Sequence, residues 1–143
     1  MTTALVTTDP CIGPWVIPSR GQNLIIHAYA SAKNIKIDTV IPEPLFSREL
    51  STTRWVLKNK GLSRILLCSY HQLNPEKRSQ LIEELEPLEI HFVLEELTGK
   101  GTDFLTKVFN EIEIFQNTNS IPIEKLTSYQ EMQNTLQMAG DRP

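Results

Sequence analysis

The feature that most constrains the fold is the apolar segment at residues 64–70, Arg-Ile-Leu-Leu-Cys-Ser-Tyr. It lacks the alternation of a half-exposed strand, which predicts a strand covered on both faces. Asn74 and Pro75 follow it and predict the start of a helix, because asparagine caps helices and proline is favoured at the first helical position. A buried strand followed directly by a helix is typical of a parallel sheet in an α/β domain.

The same alternation of strand and helix patterns continues along most of the chain. The predicted strands cover residues 12–18, 35–41, 64–70 and 88–94, and the predicted helices cover residues 19–33, 52–61, 74–87 and 102–116. Connections this short between strands and amphipathic helices favour right-handed crossovers. We therefore predict a three-layer, resolvase-like α/β domain with a mainly parallel four-stranded sheet and helices on both faces.

The chain of 143 residues is predicted to hold one domain. Residues 1–11 are interpreted as a flexible leader, residues 12–117 as the α/β domain, and residues 118–143 as a linker and a C-terminal amphipathic helix. The predicted terminal helix has one apolar face, which can pack on its own domain or on a partner subunit. The sequence leaves both arrangements open.

The charge of the chain and its ends limit its partners and location. The net charge is −3 and the basic residues are scattered, which argues against nucleic acid as a partner. The first residues lack the basic segment and apolar core of a signal peptide. No stretch approaches the roughly 20 apolar residues of a membrane span. We expect a cytoplasmic protein without membrane insertion.

The residue types that bind metals and cofactors do not form a recognisable pattern. Cys11 and Cys68 are too far apart for a Cys-x-x-Cys pair, so neither a zinc site nor a disulfide framework is predicted. His27, His71 and His91 lack the spacing of zinc ligands. The glycine-rich dinucleotide loop and the Walker lysine motif are both missing. We expect no metal and no cofactor.

A ligand site is predicted at the edge where the parallel strands end. In such sheets ligands bind beyond the carboxyl ends of the strands, and we call the residues that follow these ends the carboxyl rim. The candidates at the carboxyl rim are Ser19, Arg20, Gln22, Asn23, Glu43, Ser69, His71, Gln72 and Glu95.

Three of these candidates are predicted to be catalytic. His71 can transfer protons because the ordinary pKa of histidine lies near neutrality, and Glu43 and Glu95 can supply an acid or a base. Two structural alternatives stay open: His71 can be a loop histidine that bonds to nearby backbone, and Glu95 can bond across the strand ends.

The remaining six candidates are predicted to bind the ligand. Gln22, Asn23 and Gln72 suit a hydroxyl-rich molecule, since a side-chain amide holds a donor and an acceptor in fixed geometry. Arg20 at a helix start indicates an anionic ligand or a carboxylate partner, because its charge opposes the helix dipole. Ser19 can be a nucleophile, or it can form an S-x-x-Q capping box with Gln22. Ser69 is also predicted to bind the ligand. For Gln72 the alternative is a structural hydrogen bond across the strand ends.

Two segments resemble the catalytic domain of serine recombinases, the resolvases and invertases. Residues 19–30 resemble the serine, glutamine and first helix of that family, and residues 66–74 lie where the family has an Asp-Arg-Leu-x-Arg motif. In this chain residues 71–75 read His-Gln-Leu-Asn-Pro, and no arginine directly precedes Ser19. Phosphoryl transfer depends on positive groups that stabilise the phosphate. The resemblance therefore implies the scaffold, and we expect no recombinase activity.

The chain also resembles the sporadic carbohydrate cluster proteins, which occur in bacterial gene clusters for capsules and O-antigens. The matches lie in order between residues 15 and 115. They comprise Ile17-Pro18, Gln22-Asn23-Leu24, Tyr29, Glu43, residues 68–75 and residues 90–95. This resemblance implies a role in the biosynthesis of bacterial surface polysaccharides.

From this second resemblance we predict an accessory protein or small enzyme that binds a sugar or nucleotide-sugar at the carboxyl rim. We also expect a homo-oligomer. The alternative is a non-catalytic oligomeric scaffold protein that keeps a degenerate resolvase-like fold. Whether the protein is an enzyme stays open at this point.

Overall fold

The computed structural model describes residues 2–44 and 48–119. The strands are β1 Thr3–Thr7, β2 Cys11–Ile12, β3 Trp15–Val16, β4 Thr39–Pro42, β5 Arg64–Leu67, β6 Glu89–Phe92 and β7 Leu97–Lys100. The helices are α1 Ser19–Ala32, α2 Ser51–Lys60, α3 Arg78–Leu85 and α4 Thr102–Asn119, with short 3-10 turns at Tyr70–Gln72 and Pro75–Lys77. The predicted C-terminal helix lies outside the described residues.

Five strands form the main sheet in the order β4-β1-β5-β6-β7. The first four are mutually parallel, and β7 pairs antiparallel with β6. The predicted fold class, a mainly parallel α/β sheet with helices on both faces, is confirmed. The sheet has one strand more than predicted, because the segment after β6 turns back and forms an edge strand.

The first predicted strand and the predicted leader are both wrong. Thr3–Thr7 is no flexible leader but forms the strand β1, which is buried along its whole length between β4 and β5. Threonine is β-branched and suits a strand, although its polarity weakens the apolar signal. Residues 12–18 contain Pro14 and Pro18, and only the short antiparallel pair of β2 and β3 forms there.

Apolar side chains cover both faces of the sheet. Leu50, Leu81, Leu85, Leu105, Val108 and Phe109 lie in one buried cluster with Ala4, Val6, Ile65 and Leu67. Ile26 and Ala30 of α1 lie in the other cluster, with Leu5 and Leu66. Successive strand residues thus alternate between the clusters, as the twofold period of a strand requires. Helices α2, α3 and the first part of α4 cover one face, and α1 covers the other.

The chain divides into two compact units, residues 1–112 and residues 113–143. The first holds the sheet, α1, α2, α3 and most of α4. Residues 113–119 of the second continue α4. Within residues 2–44 and 48–119, we find no helix with the length and apolar character needed to cross a membrane.

Candidate functional site

Gln22 lies at the centre of the carboxyl rim and is fully buried. Its Oε1 accepts hydrogen bonds from the backbone N–H of Thr8 at 2.9 Å and from Nε2 of Gln72 at 3.2 Å. Its Nε2 donates to the carbonyl oxygens of Thr8 at 3.0 Å and Ile17 at 2.9 Å. These four bonds use the full hydrogen-bonding capacity of the amide. Gln22 therefore joins α1 to the end of β1 and offers no polar group to a ligand.

The capping box predicted at Ser19 and Gln22 does not form. The residue that precedes α1 is Pro18, and no side chain caps this helix. A capping box forms instead at Ser69 and Gln72. The Ser69 hydroxyl accepts from the His71 N–H at 3.1 Å, while Oε1 of Gln72 accepts from the Ser69 N–H at 2.8 Å. Both side chains are thereby committed to holding the turn after β5.

Glu43 is also buried, and it stabilises the start of α2. Its Oε1 accepts from the N–H and the hydroxyl of Thr53, both at 2.7 Å, and its Oε2 accepts from the N–H of Thr52 at 3.2 Å. A carboxylate is favoured there because the first N–H groups of a helix carry partial positive charge. Glu43 was predicted to be catalytic, but both of its oxygens are used by the fold.

His71 is enclosed by the hairpin that β2 and β3 form. Its ring makes edge contacts with Trp15, at 5.9 Å between centroids, and with Tyr70, at 4.8 Å. A Cβ atom at Gly13 would lie 2.5 Å from this ring, so only glycine fits there. Burial, helped by the charge of Arg48, lowers the pKa of His71, which keeps the ring neutral at pH 7. The histidine is 7 % exposed, so the hairpin limits its access to a ligand.

Glu95 carries the least compensated carboxylate among the described residues. Its Oε1 accepts a hydrogen bond from the Tyr70 N–H at 2.6 Å. Its Oε2 is buried and has no hydrogen-bond partner among the described residues. Burial raises the pKa of Glu95. Hydrogen bonds from the Tyr70 N–H and the Ser69 side chain partly oppose this shift, and the charge of Glu111 adds to it. Burial, with a smaller effect of the Glu95 charge, raises the pKa of Cys68 to about 11, so this thiol is unreactive at neutral pH.

The raised pKa of Glu95 predicts a specific pH dependence of stability. Between its unfolded and folded pKa values, the folded state binds more protons than the unfolded state, so wild-type stability falls as the pH rises. Glu95→Gln removes this titration. Relative to wild type, we expect the variant to gain unfolding free energy as the pH rises from 4 towards neutrality.

Urea unfolding at several pH values measures this change. The matched control is Glu96→Gln, because Glu96 is the neighbouring exposed carboxylate. A constant difference between Glu95→Gln and wild type across the pH range would contradict the prediction.

Ser19, Arg20 and Asn23 differ from the other candidates because their side chains are accessible. Ser19 and Arg20 are exposed at the start of α1, and Asn23 is half-buried. None of the three side chains bonds to another residue within the described part of the chain. Because Gln22 lies on the same helical turn and bonds to the end of β1, this exposed group belongs to the carboxyl rim.

Two further residues of the carboxyl rim, Thr8 and Arg48, were not among the predicted site residues. Thr8 is the hub of the buried network, since it bonds to Gln22 and its hydroxyl accepts from Nε2 of Gln72 at 2.8 Å. Arg48 donates from Nη2 to the Cys11 carbonyl oxygen at 3.2 Å, and its charge acts on His71. Thr8 was overlooked because β1 was interpreted as a leader. No local pattern marks Arg48.

Solved structures of an integrase catalytic domain and of a site-specific recombinase have a similar fold. The N-terminal catalytic domain of TP901-1 integrase matches with a TM-score of 0.58 at 14 % identity, over 85 % of this chain and 100 % of that chain. The chain has a resolvase-like fold. A resolvase family site-specific recombinase from Streptococcus pneumoniae matches this resolvase-like chain with a TM-score of 0.59 at 13 % identity, over 99 % of both chains. No protein-family model and no curated protein matches.

These comparisons correct the predicted function and partners. No family model supports the resemblance to carbohydrate cluster proteins. The predicted role in surface-polysaccharide synthesis is wrong, because the similar structures are those of an integrase and a site-specific recombinase. The same finding corrects two further predictions, namely that the ligand is a sugar and that nucleic acid is not a partner. The physical reason is that net charge averages over the whole chain, whereas a binding surface depends on local charge.

Proposed function

We propose that this protein binds DNA and serves in site-specific recombination. The observation that carries the proposal is the fold similarity to a site-specific recombinase over 99 % of both chains. One fold can host many functions, so the chemistry has to come from the accessible groups of the site. Chromosomal DNA of a bacterium lies in the cytoplasm, which is the location that we propose.

The exposed start of α1 offers suitable chemistry for a DNA phosphate. Ser19 presents a hydroxyl and Arg20 a guanidinium, which is the side chain best suited to bind phosphate oxygens. The first turn of α1 contains no acidic residue, so its partial positive charge is not neutralised locally. Arg48 follows β4 and adds a half-buried cation to the same rim. We expect contacts to the DNA backbone rather than to base edges.

The proposal predicts weak binding with a shallow salt dependence. Two phosphate contacts correspond to a slope of about −1.8 when the logarithm of the association constant is plotted against the logarithm of the salt concentration. The dissociation constant for binding without sequence specificity is about 10⁻⁴–10⁻⁶ M. Arg20→Gln removes one phosphate contact, so it is expected to weaken binding severalfold and to reduce the steepness of the slope by about 1.

Fluorescence anisotropy of a labelled 30-base-pair duplex between 25 and 200 mM potassium chloride measures both quantities. The control is Lys100→Gln, because Lys100 is an exposed cation. It pairs with Glu89 at the start of β6, so it lies at the end of the sheet opposite the carboxyl rim. Absence of binding at 25 mM salt and millimolar protein would refute the proposal. Equal losses in Arg20→Gln and Lys100→Gln would place the contact elsewhere and refute the role of Arg20.

A further inference from the structure

A second polar cluster lies on the face of the sheet that α1 covers. Nδ1 of His91 is 2.7 Å from the hydroxyl of Tyr29, and Nε2 of His91 is 2.8 Å from Oε2 of Glu89. His91 is 7 % exposed, and the hydroxyl of Thr98 lies 3.2 Å from its Nδ1. None of these residues belongs to the carboxyl rim. The cluster thus joins a carboxylate, an imidazole and a phenol in one chain of hydrogen bonds.

The carboxylate sets the direction of the hydrogen bond between Glu89 and His91. The bond with His91 lowers the pKa of Glu89, so Glu89 is ionised and can only accept. Nε2 of His91 must then carry a proton, because it lies 2.8 Å from this acceptor. The hydroxyl of Tyr29 lies 2.7 Å from Nδ1, and its oxygen keeps a free lone pair whichever of the two groups donates. A ligand that meets Tyr29 can therefore donate a hydrogen bond to this oxygen.

Tyr29 lines a cleft of about 600 Å³, a size typical of small-molecule sites. The other lining residues are Ile25, Lys33, Val93, Glu96 and Thr98. Lys33 and Glu96 supply opposite charges, and neither forms an ion pair with another residue in the described ranges. Ile25 and Val93 supply apolar surface. The cleft thus offers a lysine that can bind an anionic group, a glutamate that can bind a cationic group, and an apolar surface.

We propose that this cleft binds a zwitterionic small molecule, an apolar amino acid or dipeptide. The ligand carboxylate contacts Lys33, and its ammonium group donates to Glu96 and to the oxygen of Tyr29. The apolar side chain packs on Ile25 and Val93. His91 and Glu89 act as positioning residues, because their hydrogen bonds hold the Tyr29 hydroxyl in place.

Thermal-shift and calorimetric titrations with L-leucine and L-leucyl-L-leucine test the proposal. Saturation at about 100 times the dissociation constant stabilises a protein by about 2.7 kcal/mol. We expect one or both probes to raise Tm. 4-Methylpentanoate, which lacks the amino group, and 3-methylbutylamine, which lacks the carboxylate, should bind at least tenfold more weakly. No response to either probe at 20 mM, or equal binding of the singly charged analogues, would overturn the proposal.

Two variants connect binding to the cleft. Tyr29→Phe keeps the ring but removes the acceptor oxygen, so it should weaken binding of the best probe about tenfold, with the melting temperature of the free protein as a check on folding. Lys33→Gln should remove most of the preference for L-leucine over 3-methylbutylamine, an effect that a structural role of Lys33 would not produce. Lys100→Gln serves as the control. Unchanged binding in Tyr29→Phe and Lys33→Gln would refute the assigned contacts.

Discussion

Replacing Gln22 with alanine is expected to lower the free energy of unfolding by about 4 kcal/mol, because each buried polar group left without a partner costs about 1–3 kcal/mol. The substitution removes the partners of the Thr8 N–H and carbonyl groups and of the Ile17 carbonyl. Alanine regains only a few tenths of a kcal/mol through its higher helix propensity. The expected effect is large because α1 and β1 lose their direct polar link.

Urea unfolding followed by circular dichroism measures this loss. Asn23→Ala is the matched control, since Asn23 lies on the same turn of α1, is half-buried and bonds to no other described residue through its side chain. We expect Asn23→Ala to stay within about 0.5 kcal/mol of wild type, the usual range away from special features. Similar losses in both variants would contradict the structural role assigned to Gln22.

Replacing Glu43 with alanine is expected to cost about 3 kcal/mol, which combines a lost helix cap of about 1 kcal/mol with buried Thr53 donors left unpaired. Three hydrogen bonds from Thr52 and Thr53 end on this one carboxylate. Glu43→Gln keeps one acceptor oxygen for Thr53 but places an amide N–H₂ group near the Thr52 N–H. Its expected loss is intermediate.

The order of stability, wild type above Glu43→Gln above Glu43→Ala, is measured by denaturant unfolding. Hydrogen exchange of the first turn of α2 should quicken in the same order, because the carboxylate acts on that turn. Glu83→Ala is the control, since Glu83 is an exposed glutamate on α3. Wild-type stability of Glu43→Ala would show that the carboxylate does not support α2, and the catalytic prediction for Glu43 would then regain its basis.

The carboxyl rim shows why residue type alone is a poor guide to a site. Gln22, Glu43, Ser69 and Gln72 are the polar residues expected at the ends of parallel strands, yet each is buried and bonded within the fold. Strand ends expose backbone groups that need partners when they are covered, and polar side chains nearby supply them. The accessible chemistry of the rim is reduced to side chains at the start of α1, such as Arg20.

Local pattern was sufficient for much of the fold. The apolar segment of β5, the amphipathic spacing of α1 and α4, and the Asn74-Pro75 start before α3 each follow from residues within a few positions of one another. Such periodicities survive in a single sequence, because a strand or helix face is built from neighbours in the chain. The alternation of strands and helices from α1 to α4 was therefore determined by the sequence alone, whereas the sheet strands β1 and β7 were not.

Only the tertiary structure decided which polar residues meet. Gln22 bonds to Thr8 across 14 positions and to Gln72 across 50, and Tyr29 reaches His91 across 62. The burial of Thr3–Thr7 likewise depends on β4 and β5, which flank it from distant parts of the chain. The free energy of a buried hydrogen bond depends on partners that folding brings together. No local periodicity records that choice, so the sequence placed the rim while the fold determined which of its side chains remain accessible.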